Sequence, residues 1–269
     1  MPSAWQGNQE VELAGGTANR GLVLRVGDTV RRPQPTAADG VHALLEHLER
    51  VGFEAAPRYL GQDENGRDVL SYIHGEVPTA PHPAWALTDD ALVSVAGLLR
   101  RYHSAVLSFD HTRYEWPTTV PSPYRGPVVT HNDPNLDNVV FRDGRAVAFI
   151  DFDLASPGSP LWDAALAARL WVPLRDPLDV PEDLASKACH RLRLFADAYG
   201  LAGTERARMA EAILATHTWC YDIIRAGAEQ GRAGYQHYWT PSAQAHDARG
   251  RRWLENNLDR LTVALLERN

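Results

Sequence analysis

The chain has 269 residues, of which 44% are hydrophobic and 23% charged, with a formal net charge of −7. This is long enough for a large core and for two lobes, and its composition is that of an ordinary globular protein. The acidic balance excludes nucleic acid as the main partner, which would need a basic face, and no apolar run approaches the roughly 20 residues that cross a bilayer.

Cys189 and Cys220, the two cysteines, fall in helical patterns and suggest neither a disulfide scaffold nor a zinc site. The N-terminal residues lack the basic start and apolar core of a signal peptide, so a reducing cytoplasm is expected. There are no repeats and no low-complexity tract.

Residues 11–33 predict three strands: Val11-Glu12-Leu13, Leu22 to Val26, and Thr29-Val30-Arg31-Arg32 ending at Pro33. A loop containing Gly15 and Gly16 joins the first two, and these glycines permit close backbone approach to a ligand. On the third strand, period-2 alternation puts Val30 and Arg32 on one face, so Arg32 is favoured over Arg31 as a cation facing a cleft. A helix follows over 38–50, with Val41, Leu44, Leu45 and Leu48 apolar and Glu46 and Glu49 as candidate partners for that cation. Ala56 to Leu60 and Val69 to Ile73 read as two more strands, and His74-Gly75-Glu76 breaks the pattern as a hinge.

Thr88 caps a long helix with Asp89 and Asp90 in its first turn. Its stripe includes His103, a histidine expected to be packed and hydrogen-bonded. Pro117 to Pro127, with four prolines, leads into Val128-Val129-Thr130. The remainder is predicted helical over 161–172, 181–199, 204–229 and 243–267. Trp219, Asp222, Glu229, Tyr235, Tyr238 and Trp239 are candidates to line a pocket there, since rings and carboxylates suit a hydroxylated or aminated molecule.

The informative stretch is His131-Asn132-Asp133-Pro134-Asn135-Leu136-Asp137-Asn138, an H-x-D-x-x-x-x-N loop between two apolar runs. A hairpin through Asp143-Gly144 then leads to Phe149-Ile150-Asp151-Phe152-Asp153. An Asp in such a loop can accept a hydroxyl proton during attack on a γ-phosphate. An Asn five residues on and an Asp on the paired strand can hold Mg²⁺, which takes few protein carboxylates and keeps phosphates and water. Asp133 is therefore the candidate base, and Asn138 and Asp151 the candidate metal ligands. A calcium loop is a poor fit, because its sixth position is Asn138 rather than Gly and its twelfth is Gly144 rather than Glu.

His131, Asp133, Asn138 and Ile150-Asp151-Phe152, followed by Pro160-Leu161-Trp162-Asp163, resemble the aminoglycoside phosphotransferase-type, choline kinase-like small-molecule kinases. Their usual loop is H-G-D-x-x-x-x-N and their metal strand I-D-W or I-D-F. The likeness extends over most of the chain and thins after about residue 175; Asn132 stands where Gly is usual, which bears on the loop backbone. The resemblance implies an α+β, two-lobed protein-kinase-like fold, with a small sheet-rich lobe over 1–74 and a larger helical lobe over 75–269. It implies that the Gly15, Gly16 and Asn19 loop covers phosphates, and that backbone around Ser71 to His74, including Tyr72 and Ile73, holds a purine. In such a fold Arg32 would reach phosphate in place of the usual Lys, and Asp163 would stiffen the catalytic loop. Mg²⁺ with ATP or GTP, and a small hydroxylated acceptor compatible with a cationic group, are implied as partners; ATP versus GTP, and aminoglycoside, choline, homoserine, sugar or nucleoside, stay open. The missing strand Lys keeps a catalytically silent nucleotide-binding module as the rival.

Overall fold

The computed structural model describes residues 9–13 and 21–267. Gly15, Gly16 and Asn19 lie outside the described residues. The N-terminal part is a five-stranded antiparallel sheet of β1 (Glu10–Glu12), β2 (Leu24–Val26), β3 (Thr29–Arg32), β4 (Tyr59–Gln62) and β5 (Asp68–Ser71). The strand order is β1-β2-β3-β5-β4, with helix α1 (Ala38–Arg50) inserted between β3 and β4. Register pairs Val30 with Leu70 and Arg32 with Asp68. Leu44, Leu45 and Leu48 of α1 are buried against the sheet, each such burial contributing about 1.5–3 kcal/mol. Leu22 and Leu13 fall outside the strands, which are shorter than their apolar runs suggest.

The chain leaves the sheet through Gly75, whose φ is +153°. A Cβ there would stand 2.5 Å from the carbonyl oxygen of Phe141, so the crossing depends on glycine. Glu76 then pairs with Phe141 by two backbone hydrogen bonds of 2.8 Å, tying the hinge to the larger lobe.

That lobe is built on α2 (Asp89–Val106), with the Thr88 hydroxyl accepting from Ala91 N at the cap. Two small antiparallel pairs follow: β6 (Val128–Thr130) with β9 (Ser156–Gly158), and β7 (Val139–Arg142) with β8 (Arg145–Phe149). Asp143 and Gly144 both have positive φ, the conformation that closes a tight hairpin. The helices α3 (Pro160–Trp171), α4 (Glu182–Ala185), α5 (Ala188–Tyr199), α6 (Gly203–Glu229), α7 (Ala233–Tyr238) and α8 (Pro241–Leu266) complete it. The helix expected over 181–199 is split at Ser186 and Lys187, and α7 was not foreseen in the stretch between the last two long helices. No described helix is long and apolar enough to cross a membrane.

Candidate active site

The H-x-D-x-x-x-x-N segment is a loop pinned at both ends by buried strands. Val128, Val129, Val139 and Val140 are all at most 1% exposed, so the polar residues between them have little freedom to wander. Asp163, at the start of α3, fixes the loop from below. Its carboxylate accepts from His131 N at 2.8 Å and Asn132 N at 3.0 Å, and lies 3.0 Å from His103 Nε2. His103 also meets the Tyr199 hydroxyl at 2.7 Å, so this histidine is a packed bridge with both ring nitrogens engaged. His131 is fully buried. Its Nε2 is 3.1 Å from the Ile150 carbonyl and its Nδ1 accepts from Asp133 N at 3.2 Å. These bonds make the ring a brace between the loop and the strand that ends at Asp151.

Asn132 adopts φ +63°, a region that Asn enters more readily than most residues. Its side chain is fully used: Oδ1 accepts from Thr130 Oγ1 and Trp162 Nε1, and Nδ2 donates to Leu154 O and Ser156 Oγ. The residue standing where glycine is usual thus keeps the loop geometry and adds four bonds that glycine lacks. We expect Asn132→Gly to lower stability by about 2 kcal/mol, because it strands the buried Trp162 donor and removes the bonds to Leu154 O and Ser156 Oγ, whereas the Thr130 hydroxyl keeps the Ser156 carbonyl as acceptor. Asn132→Ala should cost about 1 kcal/mol more through its left-handed backbone. Urea unfolding of the three proteins checks both values.

Asp133, Asn138 and Asp151 converge at one end of a cavity of about 600 Å³ whose lining includes all three. Asn138 donates from Nδ2 to both the carbonyl and the Oδ2 of Asp133, at 3.0 and 2.9 Å. Two acceptors facing one amide nitrogen fix the amide's orientation, and Oδ1 is left without a protein donor among the described residues. The backbone bond from Ile150 N to Asn138 O, 2.9 Å, holds the end of β8 beside the loop. Asp151 has φ +63° and a side chain 31% exposed. Burial, with the Asp151 and Asp137 carboxylates nearby, pushes the Asp133 carboxyl up to about 8, against the opposing influence of Arg169 and the Asn138 bond. A carboxylate with that proton affinity is suited to take up a hydroxyl proton.

Arg32 reaches this end from β3. Its Nη1 donates to Asp151 at 3.1 Å and its Nη2 to Asp153. Arg31 points elsewhere, to Thr29 Oγ1 at 2.6 Å and toward Asp63. Glu46 and Glu49 do not pair with the strand cation: Glu46 is exposed and Glu49 faces Arg58. The α1 face turned to the sheet carries His42 instead, 2.8 Å from Asp68 and stacked on Tyr59. Burial disfavours the Arg32 charge, but Asp151 and Asp153 outweigh it and raise its proton affinity.

Tyr72 and Ile73, just beyond β5, are not among the residues lining this cavity. Tyr72 N already donates to Asp28 O at 2.9 Å, and its ring lies beneath the Arg25 guanidinium. Among the described residues no hydrogen bond engages the backbone of Ile73.

Trp219, Tyr235 and Tyr238 line the cavity, whereas Asp222, Glu229 and Trp239 do not; Asp222 pairs with Arg225 at the surface. The sequence reading passed over Arg169, Arg175, His217 and Tyr221, which do line it. Arg169 had a legible signal, being the one basic residue of α3, whose only other charged residue is Asp163. Arg175 had none, because it lies in a loop after the helix.

The family model described as the phosphotransferase enzyme family matches residues 109–212. The chain is 32% identical over 217 residues to the trifolitoxin immunity protein of Rhizobium leguminosarum bv. trifolii, covering 77% of this chain and 80% of that protein. A choline/ethanolamine kinase family protein from Mesorhizobium loti superposes with a TM-score of 0.64 at 16% identity, over 99% of this chain and 95% of its own. The GDP complex of aminoglycoside 2'-phosphotransferase-IIIa gives 0.57 at 15% identity, over 95% and 94% of the two chains. These likenesses show the two-lobed protein-kinase-like fold. By sequence and by fold, the chain belongs to the phosphotransferase enzyme family.

Proposed function

We propose that this protein transfers the γ-phosphate of ATP or GTP to a hydroxyl of a small molecule, with Asp133 as base and Asn138 and Asp151 as the magnesium ligands. The observation that carries the reading is the convergence of those three side chains at one end of the cavity. Asn138 turns its nitrogen to Asp133 and leaves its oxygen free of protein donors. The residues fit Mg²⁺: one amide oxygen and one partly exposed carboxylate suit a hard cation that keeps phosphate and water as its other ligands. Among the described residues no group of three or more His, Cys, Asp or Glu forms a closed metal cage, and this chemistry needs none. When bound, Mg²⁺ would neutralise phosphate charge.

In the transfer, Asp133 takes the proton of the acceptor hydroxyl. The acceptor oxygen forms its bond to Pγ, the bond from Pγ to the bridging oxygen breaks, and the nucleoside diphosphate leaves. The Gly15, Gly16 and Asn19 loop is read as the phosphate cover, and the backbone at Ile73, beside Tyr72, as the purine contact. The lobe boundary is taken at His74 and Gly75. A relative whose name denotes immunity to trifolitoxin, and neighbours named for aminoglycoside phosphotransfer, support a small-molecule acceptor.

Arg32 is assigned to phosphate. Because it now pairs with Asp151 and Asp153, Mg²⁺-nucleotide would exchange one set of anionic partners for another. Arg32→Ala should lower kcat/KM for nucleotide roughly 100-fold, the loss of about two charge-assisted bonds. Arg32→Lys should recover only part of it, lacking the two-pronged fork; steady-state kinetics on both variants decides.

The experiment for the whole reading is thermal unfolding with ATP or GTP, each with and without Mg²⁺, followed by diphosphate release against a library of hydroxylated acceptors. Mg²⁺-dependent stabilisation by one nucleotide is expected. No stabilisation by either would overturn the proposal, and binding without transfer to any acceptor would favour a silent nucleotide-binding module.

A further inference from the structure

We infer that the acceptor taken by this cavity carries a carboxylate, held by Arg169 and Arg175 on the cavity wall; the inference rests on the phosphotransferase reading and narrows its acceptor. The starting point is a charge count around the cavity wall. Arg191 pairs with Asp89 and His246 lies 3.3 Å from Asp179, while His217, 3.0 Å from Asp247, is held neutral by burial, which lowers its pKa to about 4.

Arg169 and Arg175 are different. Among the described residues no carboxylate stands within ion-pair distance of either. Arg169 donates from Nη2 to the Cys220 thiol at 3.0 Å, and its Nε is buried with no hydrogen-bond partner. Arg175 has a single long contact, Nη2 to the Leu170 carbonyl at 3.4 Å. Burial and the neighbouring Arg169 charge both disfavour the Arg175 cation. Two neighbouring, partly buried guanidiniums with no carboxylate in direct contact, Arg169 facing Asp133 and Arg175 facing Asp179 only at longer range, are incompletely compensated in the empty protein. Compensation is complete when a ligand supplies the negative charge, and the guanidinium fork matches a carboxylate in shape as well as sign.

The same charges repel an aminated acceptor, contrary to what the aromatic and acidic candidates on α6 and α7 suggested. The rings of Trp219, Tyr221 and Tyr235, which also line the wall, suit the apolar body of such a molecule. Its hydroxyl would then extend toward Asp133, which lines the same cavity.

The test uses thermal unfolding of the full chain with hydroxylated acids, each beside its own primary amide: N-acetylserine, glycerate, pantoate and mandelate. Choline and kanamycin serve as cationic controls. At least one acid should stabilise the wild-type protein more than its amide and more than either cation, and Arg175→Gln and Arg169→Gln should abolish that preference. For an acid that is phosphorylated, either substitution should raise its KM about 30-fold or more, as expected for a charge pair left incomplete. Removing an incompletely compensated charge should leave the Tm of the ligand-free variants unchanged or higher, so that lost binding is not mistaken for unfolding.

Acids and amides that bind alike, cations that outdo the acids, or an acid preference that survives Arg175→Gln would each overturn the inference. So would an Arg169→Gln variant that loses kcat equally for every acceptor at unchanged acceptor KM, since that pattern assigns Arg169 to the transferred phosphoryl group. Stabilisation of the wild-type protein by Mg²⁺-nucleotide, measured alongside, reports on the phosphotransferase reading separately.

Discussion

Asp133→Asn is expected to lower kcat by about 10²–10⁴-fold, the contribution of a positioned general base, while leaving the fold and Mg²⁺-nucleotide binding in place. The fold should survive because the substituted amide can still accept from Asn138 Nδ2 through its oxygen. It also takes one carboxyl out of a buried cluster in which burial and the Asp151 and Asp137 carboxylates push the Asp133 carboxyl up to about 8. Stability should therefore hold or rise. Asp151→Asn should be inactive for a different reason, through weakened Mg²⁺-nucleotide binding. It also removes the charged partner of Arg32, which keeps Asp153. The pair of variants thus separates roles: a kcat effect at constant nucleotide affinity for Asp133, and loss of metal-dependent nucleotide affinity for Asp151. Calorimetric titration with the Mg²⁺-nucleotide, set beside turnover, reads both. Full turnover by Asp133→Asn would remove the base from the mechanism, and unchanged metal dependence in Asp151→Asn would remove the ligand.

The parts of the site legible in the sequence were those governed by short-range spacing. A strand, a polar loop and a paired strand bring Asp133, Asn138 and Asp151 together almost regardless of the rest, because the hairpin through Asp143 and Gly144 is local. Alternation along β3 separated Arg32 from Arg31 for the same reason: successive side chains on a strand point to opposite faces. What spacing could not reach was long-range pairing. Glu46 and Glu49 were reasonable partners for Arg32 on their helix alone, but the arginine crosses 119 residues to Asp151. Asn132 looked like a weakness because its four bonds run to residues up to 30 positions away. The cavity wall was least legible, since it is assembled from α3, the loop after it, α6 and α7. There, composition placed the rings of Trp219, Tyr235 and Tyr238 in the wall, but not Trp239, Asp222 or Glu229, and the tertiary fold brought in Arg169 and Arg175, which composition did not indicate.

Asp163→Ala should destabilise the protein by about 3–5 kcal/mol, the cost of leaving three buried donors without their carboxylate acceptor. Asp163 is fully buried and serves three donors, the backbone N–H groups of His131 and Asn132 and the ring of His103. The substitution leaves all of them without an acceptor. Burial alone would raise the Asp163 pKa. The hydrogen bond from His103, together with the electrostatic pull of the two imidazoles and the His131 N–H, outweighs it and holds the carboxyl below the usual range. A carboxyl depressed in the folded state contributes stability that is present above its unfolded pKa, about 3.9, and is lost as the pH falls through its folded value. The stability gap between wild type and variant should accordingly be largest near pH 7 and shrink below about pH 4. Urea unfolding at pH 7 and at acid pH measures that gap directly. The same contacts aim the catalytic loop, because the two backbone donors flank the peptide that leads into Asp133. Turnover should therefore fall in Asp163→Ala at temperatures where the variant is still folded, as expected when a misplacement of about 1 Å costs roughly 100-fold. A variant with the expected loss of stability but unchanged kcat would make Asp163 a purely structural residue and leave the aim of the loop to His131 and Asn132.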